Sequence, residues 1–460
     1  MPASFKTHAS SYRDPSGFIF KKEEVLYRQV NKIFKADFDL FINSGCYQSF
    51  AGKGWLIPHE TIPENFTNTD DWYLTLKPAN IPFISYPYEW SFDMLKDAAL
   101  LTLNLLKESL QYGLILKDAT PYNIQFLGSR PVFIDTLSFE KYEEQEPWIA
   151  YRQFCECFLS PLLLSCYSKQ PLQQLMLAYP EGIPLAITRS LLPWRSKFSL
   201  HTYLHIHLHA GIAEKSKGEK GKKIIFTRRK LQNLISSLEG LVNNLTLKPR
   251  STPWSAYYDE ASQRKDYLLH KKEIINDWID KTDNIKTAAD LGSNDGEFSF
   301  LLANKNIQTI AGDFDPQCIN NLYNRLKGKK TTYILPLIID IANPSPAIGV
   351  NNEERTAFTS RLNADLTLAL ALLHHLAIGR NIPFELIAVF FQHVTHQLII
   401  EFIPKEDEKV QGMLTGKKDI YTAYTVTDFE KAFTKYFKIV DTKAITGSGR
   451  VLYRMTKNEN

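Results

Sequence analysis

The chain has 460 residues, of which 44% are hydrophobic and 23% charged, and its 54 basic and 50 acidic side chains leave a formal net charge of +4. These values are typical of globular proteins and exclude a largely disordered chain. The small net charge gives no reason to expect a nucleic-acid partner, and the length predicts two or three domains.

Five cysteines are scattered along the chain, an odd number without the spacing of a disulfide framework, which predicts reduced thiols in a cytoplasmic protein. The start of the chain, up to Phe18, is polar and lacks the apolar core of a signal peptide. Apolar runs such as 98–106 and 366–373 are too short to span a bilayer. We therefore predict a cytoplasmic location and no membrane partner, while the oligomeric state stays open.

Residues 1–147 are predicted to form an N-terminal α+β domain. Apolar and polar residues alternate from Phe18 to Arg28 around a charged turn, which predicts a hairpin. A strongly apolar helix is predicted from Phe92 to Gln111, and Gly113 is expected to end it.

A second informative stretch follows that helix. Residues 114–126 read LILKDATPYNIQF, and after a turn at Gly128 comes PVFID, which ends at Asp135. The order and spacing of Asp118, Asn123 and Asp135 resemble the catalytic segment of kinase-like phosphotransferases. In that family the first Asp positions the substrate hydroxyl, the Asn holds a metal ion, and the later Asp holds Mg²⁺.

Three departures from that family's pattern limit what the resemblance implies. Leu116 and Lys117 stand where His-Arg is usual, Asp135 is followed by Thr-Leu rather than Phe-Gly, and no glycine-rich phosphate loop precedes them. We therefore expect kinase-like topology with little or no phosphoryl transfer. Two other interpretations stay open: an active phosphotransferase, and polar side chains that only stabilise turns.

Residues 148–250 are predicted to be a helical connector, because apolar and aromatic residues recur at helical spacing from Trp148 onward. His201, His205 and His209 would share one helix face, but no Cys or acidic residue interleaves with them, so we predict packing histidines and no metal site. The run from 215 to 230 is strongly basic and is interpreted as a solvated linker.

Residues 251–460 alternate between predicted strands and helices, which indicates a parallel α/β sheet. The first five strands are predicted to end at Leu291, Asp313, Asp340, Leu373 and Ile403. Two last strands, near Ile439 and Val451, are joined by a glycine turn without a helix, so they are predicted to be antiparallel. The predicted fold class is therefore α/β, with a seven-stranded Rossmann-like sheet in the C-terminal domain.

The first of these strands leads into 287–300, TAADLGSNDGEFSF, which is predicted to be a strand, a glycine turn and the start of a helix. A dinucleotide fingerprint that begins at Gly292 would need two further glycines, where Asn294 and Glu297 stand. A pyrophosphate cradle is therefore not predicted. Taken alone, the turn is also compatible with an ordinary strand-to-helix connection.

The pattern Asp-x-Gly-x-x-x-Gly from Asp290, followed by an acid at the next strand end in AGDFDP, resembles the cofactor site of class I methyltransferases, which use S-adenosylmethionine (SAM). The resemblance implies that Asp290 and the backbone of the turn hold the methionine end, and that Asp313 accepts both ribose hydroxyls. Phe314 would flank the adenine, and Asp340 would reach its amino group. The implied cofactor residues are Asp290, Gly292, Ser293, Asn294, Gly296, Asp313, Phe314, Asp340 and Ile341.

Polar residues at strand ends are the candidates for catalysis, because ligands bind at the carboxyl ends of parallel strands. His374 and His375 follow the fourth predicted strand, where many amino methyltransferases have Asn-Pro-Pro-Tyr. An imidazole suits a general base, so we predict that one of the two removes a proton from a hydroxyl or similar acceptor. A role confined to lining the pocket stays open.

The chain as a whole is similar to a bacterial family of nodulation-protein-like methyltransferases, through stretches such as YPYEW at 86–90 and NPSP at 343–346. The resemblance implies SAM-dependent methyl transfer to an unidentified acceptor. The alternatives are a phosphotransferase centred on Asp118, Asn123 and Asp135, and a non-catalytic SAM-binding scaffold.

Overall fold

A computed structural model of the protein describes residues 5–210, 226–248, 265–329, 331–415 and 418–459. The chain forms two compact units. The first comprises Met1–Lys248 and Ile348–Arg355, and the second comprises Pro249–Ala347 and Thr356–Asn460. Most of the predicted basic linker and the domain boundary predicted at position 250 lie outside the described residues.

The first unit begins with a five-stranded antiparallel sheet in the order β1-β2-β3-β5-β4. Strands β2 and β3 form the predicted hairpin, in which Phe20 lies opposite Tyr27. Buried Phe34 and Phe38 pack with Val30 of β3 and cover one face of the sheet. The strands are β1 Lys6–Thr7, β2 Gly17–Lys22, β3 Val25–Asn31, β4 His59–Ile62 and β5 Trp72–Pro78, and the helices Lys35–Asn43 and Cys46–Gly52 lie between β3 and β4.

A long buried helix, Phe92–Ser109, follows this sheet. It ends in a 3₁₀ turn and in Gly113, whose φ of 75° is the left-handed conformation that glycine adopts at helix ends. Two antiparallel pairs come next, in which β6 pairs with β9 and β7 with β8. These strands are β6 Leu114–Leu116, β7 Ile124–Leu127, β8 Arg130–Phe133 and β9 Phe139–Lys141.

The remainder of the first unit consists of helices, most of them short. Among the described residues, no helix combines the length and hydrophobicity that a membrane crossing requires. The α-helices are Tyr151–Phe154, Ser160–Ser168, Leu175–Ala178, Leu185–Leu191, Leu200–Thr202 and Arg228–Asn244; Cys155–Leu159 and Tyr203–Leu208 are π-helical, and Trp194–Phe198 is a 3₁₀ helix.

The second unit contains a seven-stranded sheet in the order β12-β11-β10-β13-β14-β16-β15. Strands β10 to β14 are parallel to one another, and β16 runs antiparallel to both β14 and β15. The predicted seven-stranded sheet and its antiparallel final pair are therefore confirmed. The strands are β10 Thr287–Leu291, β11 Gln308–Asp313, β12 Ile334–Ile338, β13 Ala364–Ala369, β14 Thr395–Phe402, β15 Phe437–Ala444 and β16 Val451–Lys457.

Helices cover both faces of this sheet, as the alternation of strands and helices predicts. On one face, Trp278 packs with Leu366 and Ile399, and Leu322 packs with Ala311 and Ile334. On the opposite face, the ring of Phe402 contacts the rings of Phe384 and Phe429, which belong to two other helices. The helices are Lys265–Asp280, Glu297–Ala303, Pro316–Lys329, Phe358–Arg361, Phe384–Val394, Glu408–Leu414 and Val426–Phe433.

The predicted end of the fourth strand is wrong. Strand β13 stops at Ala369, and His374 and His375 lie at the start of a π-helical turn, His375–Gly379. The chain leaves the sheet because Ala371 has a left-handed φ of 50° and its N–H donates to Oε2 of Glu401 at 2.8 Å. Both histidines therefore lie beyond the strand rather than within it.

Candidate active site

The glycine turn after β10 is left-handed at three positions. The φ angles are 82° at Gly292, 50° at Asn294 and 89° at Gly296. Glycine and asparagine are the residues that adopt this conformation at least cost. A side chain at Gly296 would also bring its Cβ to 2.6 Å from Cδ1 of Leu322, so the helix that starts at Glu297 packs closely only because this residue is glycine.

Hydrogen bonds hold the turn against the neighbouring strand. The backbone N–H groups of Gly292 and Ser293 donate to the carbonyl oxygen of Gly312 at 2.8 and 3.1 Å. The N–H of Asn294 donates to Oδ2 of Asp313 at 2.8 Å. These contacts bring the ends of β10 and β11 together and place the turn beside the carboxylate of Asp313.

Two buried carboxylates lie at these strand ends. Asp290 accepts a hydrogen bond from the hydroxyl of Ser299 at 2.6 Å, and the other oxygen of Asp313 accepts one from the N–H of Asp315 at 2.9 Å. Burial raises the pKa of each carboxyl to about 6, and hydrogen bonds only partly offset that rise. The charge of Lys271 also offsets part of the rise at Asp290, whereas neighbouring carboxylates add to the rise at Asp313. Buried carboxylates with raised pKa values are candidates for a functional site.

A cavity of about 320 Å³ opens at this edge of the sheet, on the side of the carboxyl strand ends. Its wall includes eight of the sequence-predicted residues: Asp290, Gly292, Asn294, Asp313, Phe314, Asp340, Ile341 and His375. The other three predicted residues, Ser293, Gly296 and His374, are buried and are not part of the wall. The structure thus brings most of the predicted residues to one cavity.

The two histidines differ in their surroundings, although their ring centroids are only 3.9 Å apart. His375 lines the cavity, and burial lowers its pKa to about 4. His374 is 2% exposed, and its Nδ1 has no hydrogen-bond partner among the described residues. Burial, and then the nearby His375, lower the pKa of His374 well below its usual value. Both rings are therefore neutral at physiological pH.

Asp340 lies at the other end of the cavity. One of its oxygens pairs with the guanidinium of Arg380 at 3.1 Å, and the other accepts a hydrogen bond from the N–H of Ala342 at 3.0 Å. Arg380 also belongs to the cavity wall. A ligand that contacts Asp340 would therefore share that carboxylate with Arg380.

A buried charged cluster under the cavity was not predicted. Lys271 lines the cavity, is 3% exposed and pairs with Glu401 at 2.6 Å. Glu401 is fully buried and also accepts hydrogen bonds from the hydroxyl of Tyr267 at 2.7 Å and from the N–H of Ala371. Arg450 lies 3.7 Å from the same carboxylate. The cluster therefore links the helix Lys265–Asp280 to β14, to the loop after β13 and to the loop that leads into β16.

One feature of the sequence could have identified Lys271 as a buried residue. In the helix Lys265–Asp280, Tyr267, Ile274 and Trp278 lie on the side that packs against the sheet. Lys271 is four residues from Tyr267 and seven from Trp278, so it lies on this apolar face, where a lysine needs a partner. A charged residue at such a position indicates a buried ion pair or a ligand site. The partner, Glu401, is 130 residues away and cannot be identified from spacing.

The first unit brings together the residues of the kinase-like segment. Nδ2 of Asn123 donates to Asp118 at 3.0 Å and contacts the Ser138 hydroxyl at 3.4 Å. That hydroxyl donates to Asp135, which also forms an ion pair with Arg28 of β3. Burial alone would raise the pKa of Asp135, but the charge of Arg28 and these hydrogen bonds bring it below its usual value. A kinase-like function of this unit stays a prediction.

We expect the full-length protein to show little or no Mg²⁺-dependent ATP turnover. The carboxylate of Asp135 is already engaged by Arg28, by the Ser138 hydroxyl and by the N–H of Leu137, so a metal ion would have to displace the guanidinium of Arg28. Release of phosphate from ATP, measured with excess Mg²⁺, checks this. Turnover that is abolished by Asp118→Asn would contradict it.

The chain is similar over its whole length to the nodulation protein NoeA of Rhizobium meliloti (strain 1021). The two share 34% identity over 469 residues, which cover 98% of this chain and 96% of NoeA. No model of a known protein family matches the sequence.

Three solved structures show weaker similarity. The N-methyltransferase NodS from Bradyrhizobium japonicum WM9 is 14% identical, with a TM-score of 0.30, over 44% of this chain and 97% of NodS. The magnesium protoporphyrin IX methyltransferase ChlM from Synechocystis PCC 6803 is 15% identical, with a TM-score of 0.31, over 42% and 86%. The bifunctional kinase-methyltransferase WbdD is 15% identical, with a TM-score of 0.30, over 48% of this chain and only 45% of WbdD.

Because these identities and TM-scores are low, the family assignment depends on NoeA. One residue in three is the same in the two proteins, and the match leaves almost no part of either chain uncovered. The chain therefore belongs to the NoeA family of nodulation proteins.

Proposed function

We propose that the protein is a SAM-dependent methyltransferase that binds its cofactor in the cavity of the second unit. The observation that carries this proposal is the set of charges on the cavity wall. Three carboxylates, Asp290, Asp313 and Asp340, lie there with the ammonium group of Lys271 and with the guanidinium of Arg380, which pairs with Asp340. SAM combines an ammonium, a sulfonium, a carboxylate and a ribose diol, so its charges complement this set, whereas a phosphate would meet acids.

The positions of these groups support a division of the cavity into two ends. Asp290, the Gly292 backbone and Lys271 would hold the amino-acid end, with the lysine toward the carboxylate of methionine. Asp313 accepts one N–H at each of its oxygens, and each oxygen keeps lone pairs for a ribose hydroxyl. Phe314 and Ile341 line the part of the cavity that would take the adenine.

The affinity for SAM should fall as the pH is lowered. Above about pH 7 both Asp290 and Asp313 are ionised, because their pKa values are about 6. Below that, protonation competes with binding, since the ligand favours the charged carboxylates. Affinity should therefore stay constant above about pH 7 and fall below about pH 6, by up to about tenfold per pH unit for each carboxylate. Calorimetry in buffers of different ionisation enthalpy should also detect proton release on binding near pH 6.

Constant SAM affinity from about pH 8 down to about pH 5 would contradict this expectation. Such a result would mean that neither carboxylate meets the cationic part of the ligand.

His375 supports a hydroxyl or a similar proton-bearing group as the acceptor. SAM supplies an electrophilic methyl group on a sulfonium, and the acceptor loses a proton as it attacks. A neutral imidazole on the cavity wall can take that proton, and the pKa of about 4 keeps His375 neutral at physiological pH. The same lowered pKa makes it a weaker base than an ordinary histidine, so its contribution should lie near the lower end of the usual range for general bases.

Replacement of His375 by Ala should lower kcat by about 10²-fold with SAM affinity retained, because a general base acts only in the chemical step. A screen of hydroxyl-bearing compounds with methyl-labelled SAM would identify an acceptor for this assay. The lowered pKa also predicts that kcat shows no decline due to His375 until the pH approaches about 4.

A matched control is His393→Ala, which removes an exposed histidine from the last turn of the helix Phe384–Val394. It should leave both kcat and SAM affinity unchanged. Full turnover by His375→Ala across the pH range would exclude base catalysis, and SAM binding without any turnover in the screen would favour the non-catalytic scaffold.

A further inference from the structure

The first unit has a group of large apolar side chains that are exposed to solvent and not buried in its core. Leu191, Trp194, Phe198 and Leu200 lie within ten consecutive residues and are 59%, 73%, 77% and 66% exposed. We call these four residues the aromatic patch. A single apolar side chain is often this exposed on a protein surface. Four such side chains close together in the chain indicate an interaction surface.

The patch is held in place by the buried residues between its members. Ser196 is fully buried, and its hydroxyl hydrogen-bonds Nε2 of the buried His207 at 2.8 Å. The rings of Trp194 and Phe198 lie edge to face with centroids 5.2 Å apart. The short helices thus bury Ser196 and leave both rings exposed to solvent. The patch is therefore part of an ordered surface.

The charged residues within the patch are basic. Arg195 and Lys197 lie between its members and are exposed. No Asp or Glu occurs in the sequence from position 182 to position 213. A surface that combines Trp, Phe and Leu with neighbouring cations complements the headgroups and the upper acyl region of an anionic bilayer.

We propose that the aromatic patch docks the protein onto membranes that carry anionic phospholipids. Trp194 and Phe198 would enter the interface, and Arg195 and Lys197 would contact the headgroups. This is surface binding and requires no membrane-spanning helix. It differs from the expectation, drawn from the sequence, that membranes are not a partner, and the experiment below decides between the two.

Charge argues against two other occupants. A second copy related by a twofold axis would bring the same cations of both patches together. The segment 211–225 of the same chain carries five lysines and two glutamates, so it also offers mostly positive charge to a positive surface. An anionic lipid surface neutralises these cations, and its apolar interior accepts the rings.

Vesicle flotation with the full-length protein tests the proposal. Vesicles of phosphatidylcholine with about 30% phosphatidylglycerol should carry the protein, and vesicles of phosphatidylcholine alone should not. High salt should weaken the binding because it screens the headgroup charges. The double variant Trp194→Ser/Phe198→Ser should lower the partition coefficient by about tenfold or more, since the apolar anchor is lost.

A matched control removes two equally exposed apolar residues elsewhere in the unit. Ile33 and Ile149 are 75% and 74% exposed, and Ile33→Ser/Ile149→Ser should bind vesicles like the wild type. Circular dichroism of both double variants checks that they are folded. The proposal is overturned if the wild type binds neither kind of vesicle. It is also overturned if the wild type dimerises in sedimentation experiments and the Trp194 double variant alone is monomeric, which would assign the patch to a second copy.

Discussion

Glutamine in place of Glu401 should lower the free energy of unfolding of the second unit by about 3–5 kcal/mol. The carboxylate is fully buried, and it is the partner of the equally buried Lys271. Burial raises the pKa of Glu401, but the charges of Lys271 and Arg450 bring it below its usual value, so this carboxyl is ionised. Without the carboxylate, a buried ammonium loses its partner, and that loss costs far more than a surface ion pair.

Hydrogen exchange of peptides from β14 would measure this loss within the second unit itself, since a two-unit chain need not unfold in one step. Glu385→Gln is the matched control, because Glu385 pairs with Lys435 on the surface and should tolerate the change. The combined variant Glu401→Gln/Lys271→Met should recover part of the lost stability, since it removes the unpaired charge. If hydrogen exchange in β14 is the same in Glu401→Gln as in Glu385→Gln, the buried pair does not stabilise the second unit.

Replacement of Asp313 by Ala should weaken SAM binding by about 2–3 kcal/mol, because hydrogen bonds from two ribose hydroxyls to a charged acceptor are lost. The substitution also removes the acceptor for the N–H groups of Asn294 and Asp315, so the glycine turn loses its support. Isothermal titration calorimetry measures the change directly. The enthalpy should fall together with the affinity.

Asp365→Ala is the matched control for Asp313→Ala. Asp365 also accepts backbone N–H groups, from Lys286 and Thr287, but it lies where β10 and β13 begin, at the opposite edge of the sheet. It should lower stability without a specific loss of SAM affinity. Equal SAM affinity of Asp313→Ala and the wild type would remove Asp313 from the site.

The fold of the second unit could be predicted because its signals are local. Each parallel strand contains a short apolar run, and turn residues such as Gly292 and Gly296 adopt the left-handed conformation that their type favours. The antiparallel final pair followed from the short glycine turn between β15 and β16, which leaves no room for a crossover helix. The carboxylates at the ends of β10 and β11 could be located for the same reason.

The surroundings of the histidines could not be predicted, because they depend on contacts that are distant in the chain. Ala371 is left-handed although alanine rarely is, and a hydrogen bond to Glu401, 30 residues away, satisfies its N–H. That contact ends β13 early and carries His374 and His375 into a π-helical turn. The pKa of His375 depends on burial, which the sequence does not specify.

In the first unit, the spacing of Asp118, Asn123 and Asp135 predicted that they belong to one unit of structure, and the hairpin of β7 and β8 agrees with the predicted turn at Gly128. The pairing of Asp135 with Arg28 spans 107 residues and joins the loop after β8 to strand β3, so no local pattern indicated it. This pairing bears most directly on whether a metal ion binds there.

The central claim, that the second unit binds SAM, is tested most directly by calorimetric titration of the wild-type protein with SAM and, separately, with ATP and Mg²⁺. We expect saturable binding of one SAM per chain, unaffected by prior addition of ATP, because the carboxylates of the cavity suit a cationic amino acid and repel phosphates. Absence of saturable SAM binding, or displacement of SAM by ATP, would contradict the assignment.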